Sequence, residues 1–238
     1  MGDDPHYKRI ILKLSGESLM GDSPYGIDPG TVKKICLELQ KLSQAKIEIG
    51  IVIGAGNIFR GLKASQNGMD RVTADYMGMM ATVLNSMALK DGLNQIGVSA
   101  RVMSALRMDT IAEFYIRDKA IGHIEQGRIV ILAAGTGNPF FTTDTAAALR
   151  AVELNAEVVL KGTRVDGVYS GDPEKDASVE LYSDISYNDV LTRRLKVMDA
   201  TAIALCRENN VPILVFNMTK EGNLSKAGMG DKIGTLVQ

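Results

Sequence analysis

Apolar residues fall along the chain in two alternating rhythms. Ile10-Ile11-Leu12-Lys13-Leu14 is a short, nearly continuous apolar run broken by Ser15-Gly16, which predicts a buried strand. Asp28-Pro29 then offers an N-cap with proline at the first helical position. Val32, Ile35, Cys36, Leu39 and Leu42 follow at helical spacing. The rhythm switches back at Ile47–Ile53, a strand that ends in Gly54-Ala55-Gly56-Asn57. A long helix is predicted from Val72 to Asn94, strands at Val98–Met103 and Arg128–Ala134, a helix over Thr142–Asn155 and a strand over Glu157–Thr163. Helical patterns at Tyr187–Leu195 and Asp199–Asn209 precede a last apolar run, Pro212–Phe216.

Strands that are apolar throughout and alternate with helices predict an α/β fold with a mostly parallel central sheet covered on both faces, a three-layer sandwich. No linker, low-complexity tract or repeat interrupts this order, so residues 1–238 read as one domain. The stretch Lys161–Asp184 is the least regular. Asp166-Gly167 is a hairpin signal and Asp172-Pro173 a turn signal, and together they predict a protruding hairpin or loop.

Composition narrows the function classes. The chain has 238 residues, with 27 Lys and Arg against 28 Asp and Glu, a net charge of −1. That balance argues against a dedicated nucleic-acid binder. No apolar run reaches the roughly 18 residues of a membrane span, and the first residues carry neither signal-peptide nor myristoylation features. Cys36 and Cys206 sit singly in apolar helical patterns, where cysteine acts as a small hydrophobe. A cytoplasmic location is expected.

Three predicted strands end in glycine-rich turns: Lys13-Leu14-Ser15-Gly16-Glu17, Gly54-Ala55-Gly56-Asn57 and Gly135-Thr136-Gly137-Asn138. Any one of them is explained as a tight turn. Three together, at the strand ends where open α/β sheets bind ligands, point to an anion site lined by bare backbone N–H groups. There is no P-loop, no complete dinucleotide fingerprint, no Gly-x-Ser-x-Gly elbow and no metal-ligand spacing. His6 and His123 both lie outside the glycine turns, which makes a histidine base improbable. A phosphate monoester acceptor needs none, because its second pKa of about 6 leaves it largely dianionic at neutral pH. Such a reaction needs cations to gather two phosphate groups, and Lys13, Arg60 and Lys161 lie at or just after strand ends.

These turns, with Asn57-Ile58-Phe59-Arg60-Gly61, Pro139-Phe140-Phe141-Thr142-Thr143-Asp144, Val165-Asp166-Gly167-Val168-Tyr169, Leu195-Lys196-Val197-Met198-Asp199 and Val215-Phe216-Asn217-Met218, resemble the bacterial uridylate kinases of the amino-acid-kinase superfamily. The resemblance runs from Tyr7 to the C-terminus. The chain departs from it at Ala55, where relatives often carry glycine, and at Gly162-Thr163-Arg164, where they often carry Ala-Thr-Lys.

The resemblance implies transfer of the γ-phosphoryl of ATP to UMP with Mg²⁺, the ion riding on nucleotide phosphates with no dedicated metal residue. It implies catalytic roles for Lys13, beside the transferring phosphoryl, and Asp144, which would orient the lysines. It gives Lys13, Leu14, Ser15, Gly16, Gly56, Arg60, Thr163, Tyr169 and Asp172 to ATP. It gives Ala55, Asp75, Thr136, Gly137, Asn138, Pro139, Phe140, Phe141, Thr142 and Thr143 to UMP. Plainer roles compete: a strand-edge lysine at Lys13, a first-turn helix acid at Asp75 or Asp144, core packing at Phe140 and Phe141. The resemblance further implies a homohexamer with GTP activation and UTP inhibition, the loop Gly21–Gly26 being tied to the GTP effect. Two other classes remain on the residues alone: a kinase of small carboxylates, and a nucleotide-sensing module with an idle phosphate site.

Overall fold

A computed structural model describes residues 5–238 apart from 174 and 177, and for 62 and 63 the backbone alone. The predicted strands are β1 (Arg9–Leu14), β2 (Glu48–Ile53), β3 (Ala100–Ser104), β5 (Ile129–Ala133), β6 (Val158–Thr163) and β8 (Ile213–Asn217). Three short ones join them: β4 (Glu113–Phe114), β7 (Asp184–Ile185) and β9 (Thr235–Val237). Together they make one sheet in the order β4-β3-β5-β2-β1-β6-β8-β9-β7. Pairing is parallel from β4 across to β8; β9 runs antiparallel to β8 and carries β7 alongside it.

Because side chains alternate across a strand, β1 feeds two separate cores. Ile10, Leu12 and Leu14 join one apolar layer, which includes Leu39 and Leu42 of α1 (Pro29–Gln44), Val83 and Leu89 of α3 (Arg71–Gln95), and Leu224 of α8 (Asn223–Met229). Ile11 joins the other, with Ala120 of α4 (Arg117–Glu125), Ala147 of α5 (Thr143–Glu153), Val190 of α6 (Tyr187–Thr192) and Ile203 of α7 (Ala200–Glu208). The expected three layers and mostly parallel sheet are present. The remaining helix, α2 (Gly61–Gln66), packs against α3.

The irregular stretch does fold back on itself, but not at the residues the hairpin signal marked. Tyr169 bridges Leu181, and Ser170 N and Tyr182 N donate to Glu180 O and Val168 O, both at 2.9 Å. The bend lies at Asp172, whose carbonyl accepts from Lys175 N at 3.1 Å and Asp176 N at 3.0 Å. Asp166-Gly167 is instead a point of close approach to β9. A Cβ on Gly167 would stand 2.4 Å from Thr235 Oγ1, so the glycine answers to packing and not to a turn.

Candidate active site

The decisive feature follows from register. β1 pairs in parallel with β6 so that Lys13 lies directly beside Lys161, on the sheet face covered by α5. Two neighbouring ammonium groups repel, and burial makes that worse. Asp144, in the first turn of α5, stands between them. Its Oδ1 is 2.6 Å from Lys13 Nζ and its Oδ2 is 2.8 Å from Lys161 Nζ. Burial works to raise the Asp144 pKa, but the two lysines outweigh it and hold the carboxyl below the ordinary value. Burial pushes Lys161 below the ordinary lysine value, assisted by Lys13 and opposed by Asp144 and Asp199. Lys161 also donates to the Val197 carbonyl.

Helix α5 is aimed at the lysines by its cap. Thr142 Oγ1 accepts from Asp144 N at 3.0 Å and Thr145 N at 3.2 Å, and donates to Asp199 Oδ2. Asp199 in turn caps α7, accepting from Ala202 N at 3.0 Å, and takes a bond from Thr145 Oγ1 at 2.9 Å. Asp144 is therefore both a first-turn acid of α5 and the partner of two lysines. The segment Val197–Asp199, whose part was open from sequence, closes the group from the far side.

The glycine turns meet here for differing reasons. A Cβ on Gly16 would come within 2.3 Å of Asn57 Oδ1 and 2.8 Å of the Gly54 and Gly56 backbones, so Gly16 lets two strand-end turns touch. Asn57 and Asn85, both buried, exchange amide bonds of 3.0 and 2.8 Å. Asn85 also donates to Gly54 O at 2.7 Å, and Asn57 to Gly26 O at 2.8 Å. Ala55 is not among the left-handed residues, so its methyl sits there without strain. Leu14 is fully buried in the core, which leaves only its backbone at the turn. Ser15 opens the short 3₁₀ turn Gly16–Leu19 without a side-chain cap bond. Arg60 reaches back to Gly56 O at 3.1 Å and pairs with Glu17, whose other oxygen is 3.5 Å from Arg164.

The third turn is strained and tied down. Ala134, Gly135, Gly137 and Phe140 have φ of 61°, 58°, 80° and 71°. For alanine and phenylalanine the left-handed region costs of the order of 1 kcal/mol or more each. Both are held from α3: Ala134 N donates to Thr82 Oγ1 at 2.8 Å, and Phe140 N to Asp75 Oδ2 at 2.7 Å. The cap of α3 is Asp70, which accepts from Thr73 N at 2.8 Å. Asp75 is thus no cap; it lines a cleft of about 230 Å³ together with Ala55, Thr136, Phe141, Thr142 and Thr143. Gly137, Asn138, Pro139 and Phe140 form the outer bend of the same turn, where Asn138 N bonds Thr136 Oγ1 at 3.2 Å. Phe140 and Phe141 are exposed, which rules out the core role. Arg71 lies 5.4 Å over the Phe140 ring and 2.8 Å from Asp75.

The remaining assigned residues lie along the folded-back stretch. Thr163 Oγ1 donates to Val165 O at 2.7 Å, Tyr169 sits in the bridge to Leu181, and Asp172 is 3.5 Å from Lys175. Neither histidine reaches the lysines. His6 N bonds Met229 O, and His123 sits between Glu113, at 3.0 Å, and Arg128, at 2.8 Å. Sequence reasoning missed Thr82, Asn85 and Arg71. The one signal for the first two was a polar side chain on the buried stripe of a helix.

A model of the amino acid kinase family matches residues 8–217. The chain belongs to the amino acid kinase family. Among solved structures of this family, a UMP kinase from Bacillus anthracis is 38% identical with a TM-score of 0.94, covering 98% of this chain and 96% of that one. A UMP kinase from Ureaplasma parvum is 40% identical with a TM-score of 0.91, covering 97% and 98%. A uridylate kinase from Archaeoglobus fulgidus is 26% identical with a TM-score of 0.74, covering 96% and 99%. The amino acid kinase sheet, with Lys13 and Lys161 side by side near the C-terminal ends of its central strands, is the frame that brings the two lysines together.

Proposed function

We infer that the chain transfers the γ-phosphoryl group of ATP to UMP, giving UDP and ADP. The observation that carries this reading beyond family likeness is Asp144, with one buried lysine on each oxygen and no histidine nearby. Two phosphorylated nucleotides repel each other, and catalysis consists of holding them in line and neutralising the charge that builds up between them. Lys13 faces the transferring phosphoryl, and Lys161 adds charge behind it. Asp144 keeps both ammonium groups aimed. The acceptor enters as a dianion, so no side chain removes a proton.

ATP occupies the side formed by Lys13, the backbone of Leu14, Ser15 and Gly16, Gly56 and Arg60, and by Thr163, Tyr169 and Asp172. UMP occupies the cleft at Ala55 and Asp75 and the turn Thr136–Thr143. Mg²⁺ comes with ATP. Among the described residues no group of three acidic, histidine or cysteine side chains could hold it, and Asp144 has both oxygens beside lysines. That donor set suits an ion carried chiefly by phosphate oxygens, where it screens phosphate charge.

The chain serves as one catalytic domain and assembles as a homohexamer under GTP activation and UTP inhibition. Tyr76, Met80, Leu84 and Met87 form an exposed apolar stripe along α3 that suits contact between copies. Cytoplasmic residence fits two free, buried cysteines on opposite faces of the sheet, with thiol pKa values pushed up by burial to about 11 and about 12. No helix among the described residues is long and apolar enough to cross a membrane. A panel of nucleoside monophosphates and small carboxylates, assayed with ATP and Mg²⁺ for ADP release, tests the reading. UMP should be the preferred acceptor; an inert UMP with an active carboxylate would overturn it.

A further inference from the structure

We propose that Arg164 is a second guanidinium for the donor triphosphate, and that the Glu17 carboxylate holds the phosphate's place until the nucleotide arrives. The proposal rests on the functional reading above. Strands β2, β1 and β6 are neighbours in the sheet, and the turns that follow them deliver Arg60, Glu17 and Arg164 to one spot. Each arginine takes a different oxygen of the same carboxylate. Glu17 also lies over the second glycine turn: Oε1 and Cγ are 3.5 and 3.7 Å from where a Cβ on Gly56 would stand. A carboxylate over a bare glycine backbone, between two guanidinium forks, has the surroundings a phosphate oxygen seeks.

The contacts that hold it there are exchangeable. Both arginine side chains are more than half exposed, so neither is fixed by packing. Exposed ion pairs of this kind contribute little, because water and salt compete for both partners. A phosphate group offers guanidinium more charge and more acceptor oxygens than a carboxylate does. Triphosphate can therefore displace Glu17 and inherit both arginines. Arg164 stands one residue beyond the end of β6, two beyond Gly162 and three beyond Lys161, so it extends the cationic line outward from the buried lysines.

The test measures affinity for a non-hydrolysable ATP analogue with Mg²⁺, and KM for UMP, in the wild type and in Arg164→Ala, Arg164→Lys and Glu17→Gln. Arg164→Ala should weaken the ATP analogue by about tenfold, the range of a lost charge-assisted contact, and leave KM for UMP unchanged. Arg164→Lys should recover only part of the loss, since an ammonium cannot fork. Glu17→Gln should bind the analogue several times more tightly, because the internal competitor is gone. Unchanged affinity in Arg164→Ala, or equal losses for both nucleotides, would overturn the assignment of Arg164. Weaker binding in Glu17→Gln would overturn the placeholder role. Wild-type turnover with UMP is scored separately, so a failure of the functional reading is not mistaken for a failure of this one.

Discussion

Asp144 and Glu17 each bridge a pair of cations, and the two groups differ in almost every physical respect. Around Asp144 the side chains are 11%, 13% and 15% exposed for Lys13, Lys161 and Asp144. Around Glu17 they are 57%, 59% and 30% exposed for Arg60, Arg164 and Glu17. The inner group is assembled by strand register and a helix cap, so its geometry is fixed before any ligand binds. The outer group is assembled by three turns and long side chains. Removing one partner of a buried pair strands a charge in a poor solvent, whereas an exposed pair exchanges with water and salt. Under the proposed function, the inner group would stay charged and aimed during phosphoryl transfer, and the outer one would let go of its carboxylate.

Asp144→Asn should break that contrast most severely. Two buried ammonium groups would face each other at adjacent register positions with no anion between them. We expect kcat to fall by roughly three decades and stability by about 3 kcal/mol, read by turnover and by urea denaturation. The matching outer change, Glu17→Gln, should alter stability by less than about 0.5 kcal/mol. Equal stability losses in the two variants would erase the distinction between the groups. Lys13→Ala comes next, with kcat lower by roughly two decades and smaller changes in KM. Normal turnover would remove Lys13 from the transfer step.

Asp75→Asn tests the cleft against the lysine group. It weakens the acceptor that holds Phe140 N and Arg71, so KM for UMP should rise by about tenfold with KM for ATP nearly constant. Equal rises in both would mean that Asp75 only supports the fold. The pH effects are smaller and have definite signs. Asp144 titrates in the native protein below its ordinary 3.8, so the unfolded chain takes up the proton first as the pH falls. Its contribution to stability is full above that value and is lost as the pH drops toward the depressed native one. Lys161 loses its proton below the ordinary 10.5, so kcat should begin to decline on the alkaline side before a free lysine would titrate. A flat profile up to that pH would contradict the burial of Lys161 as a working charge.

Much of this was readable from the chain, for reasons that also explain what was not. A lysine inside the apolar run Ile10–Leu14 and glycines at three strand ends are local facts. The alternating apolar segments likewise marked six strands and the longest helices to within a few residues. The pairing of Lys13 with Lys161 depends on β1 lying against β6, which no local pattern contains. Helix α4 buries only Ala120 and Ile124, too few to print a periodicity, and β4, β7 and β9 are edge pieces of two or three residues. Asp166-Gly167 carried a hairpin signal because Asp-Gly usually turns a chain, yet Gly167 is needed for contact with Thr235 and the bend falls at the Asp172-Pro173 turn signal. Thr82 and Asn85 sit on the buried side of α3 because strained or bare backbone at Ala134 and Gly54 needs polar partners there.

The central claim is that charge alone, with no proton-removing side chain, activates the acceptor. The most direct measurement is the acid limb of kcat/KM for the acceptor, taken with UMP and again with its 5′-thiophosphate analogue, whose second ionisation lies lower. The limb should fall near the acceptor's own second pKa, about 6 for UMP, and move down with the analogue. A limb that stays at one pH for both acceptors would assign the titrating group to the protein and contradict the account.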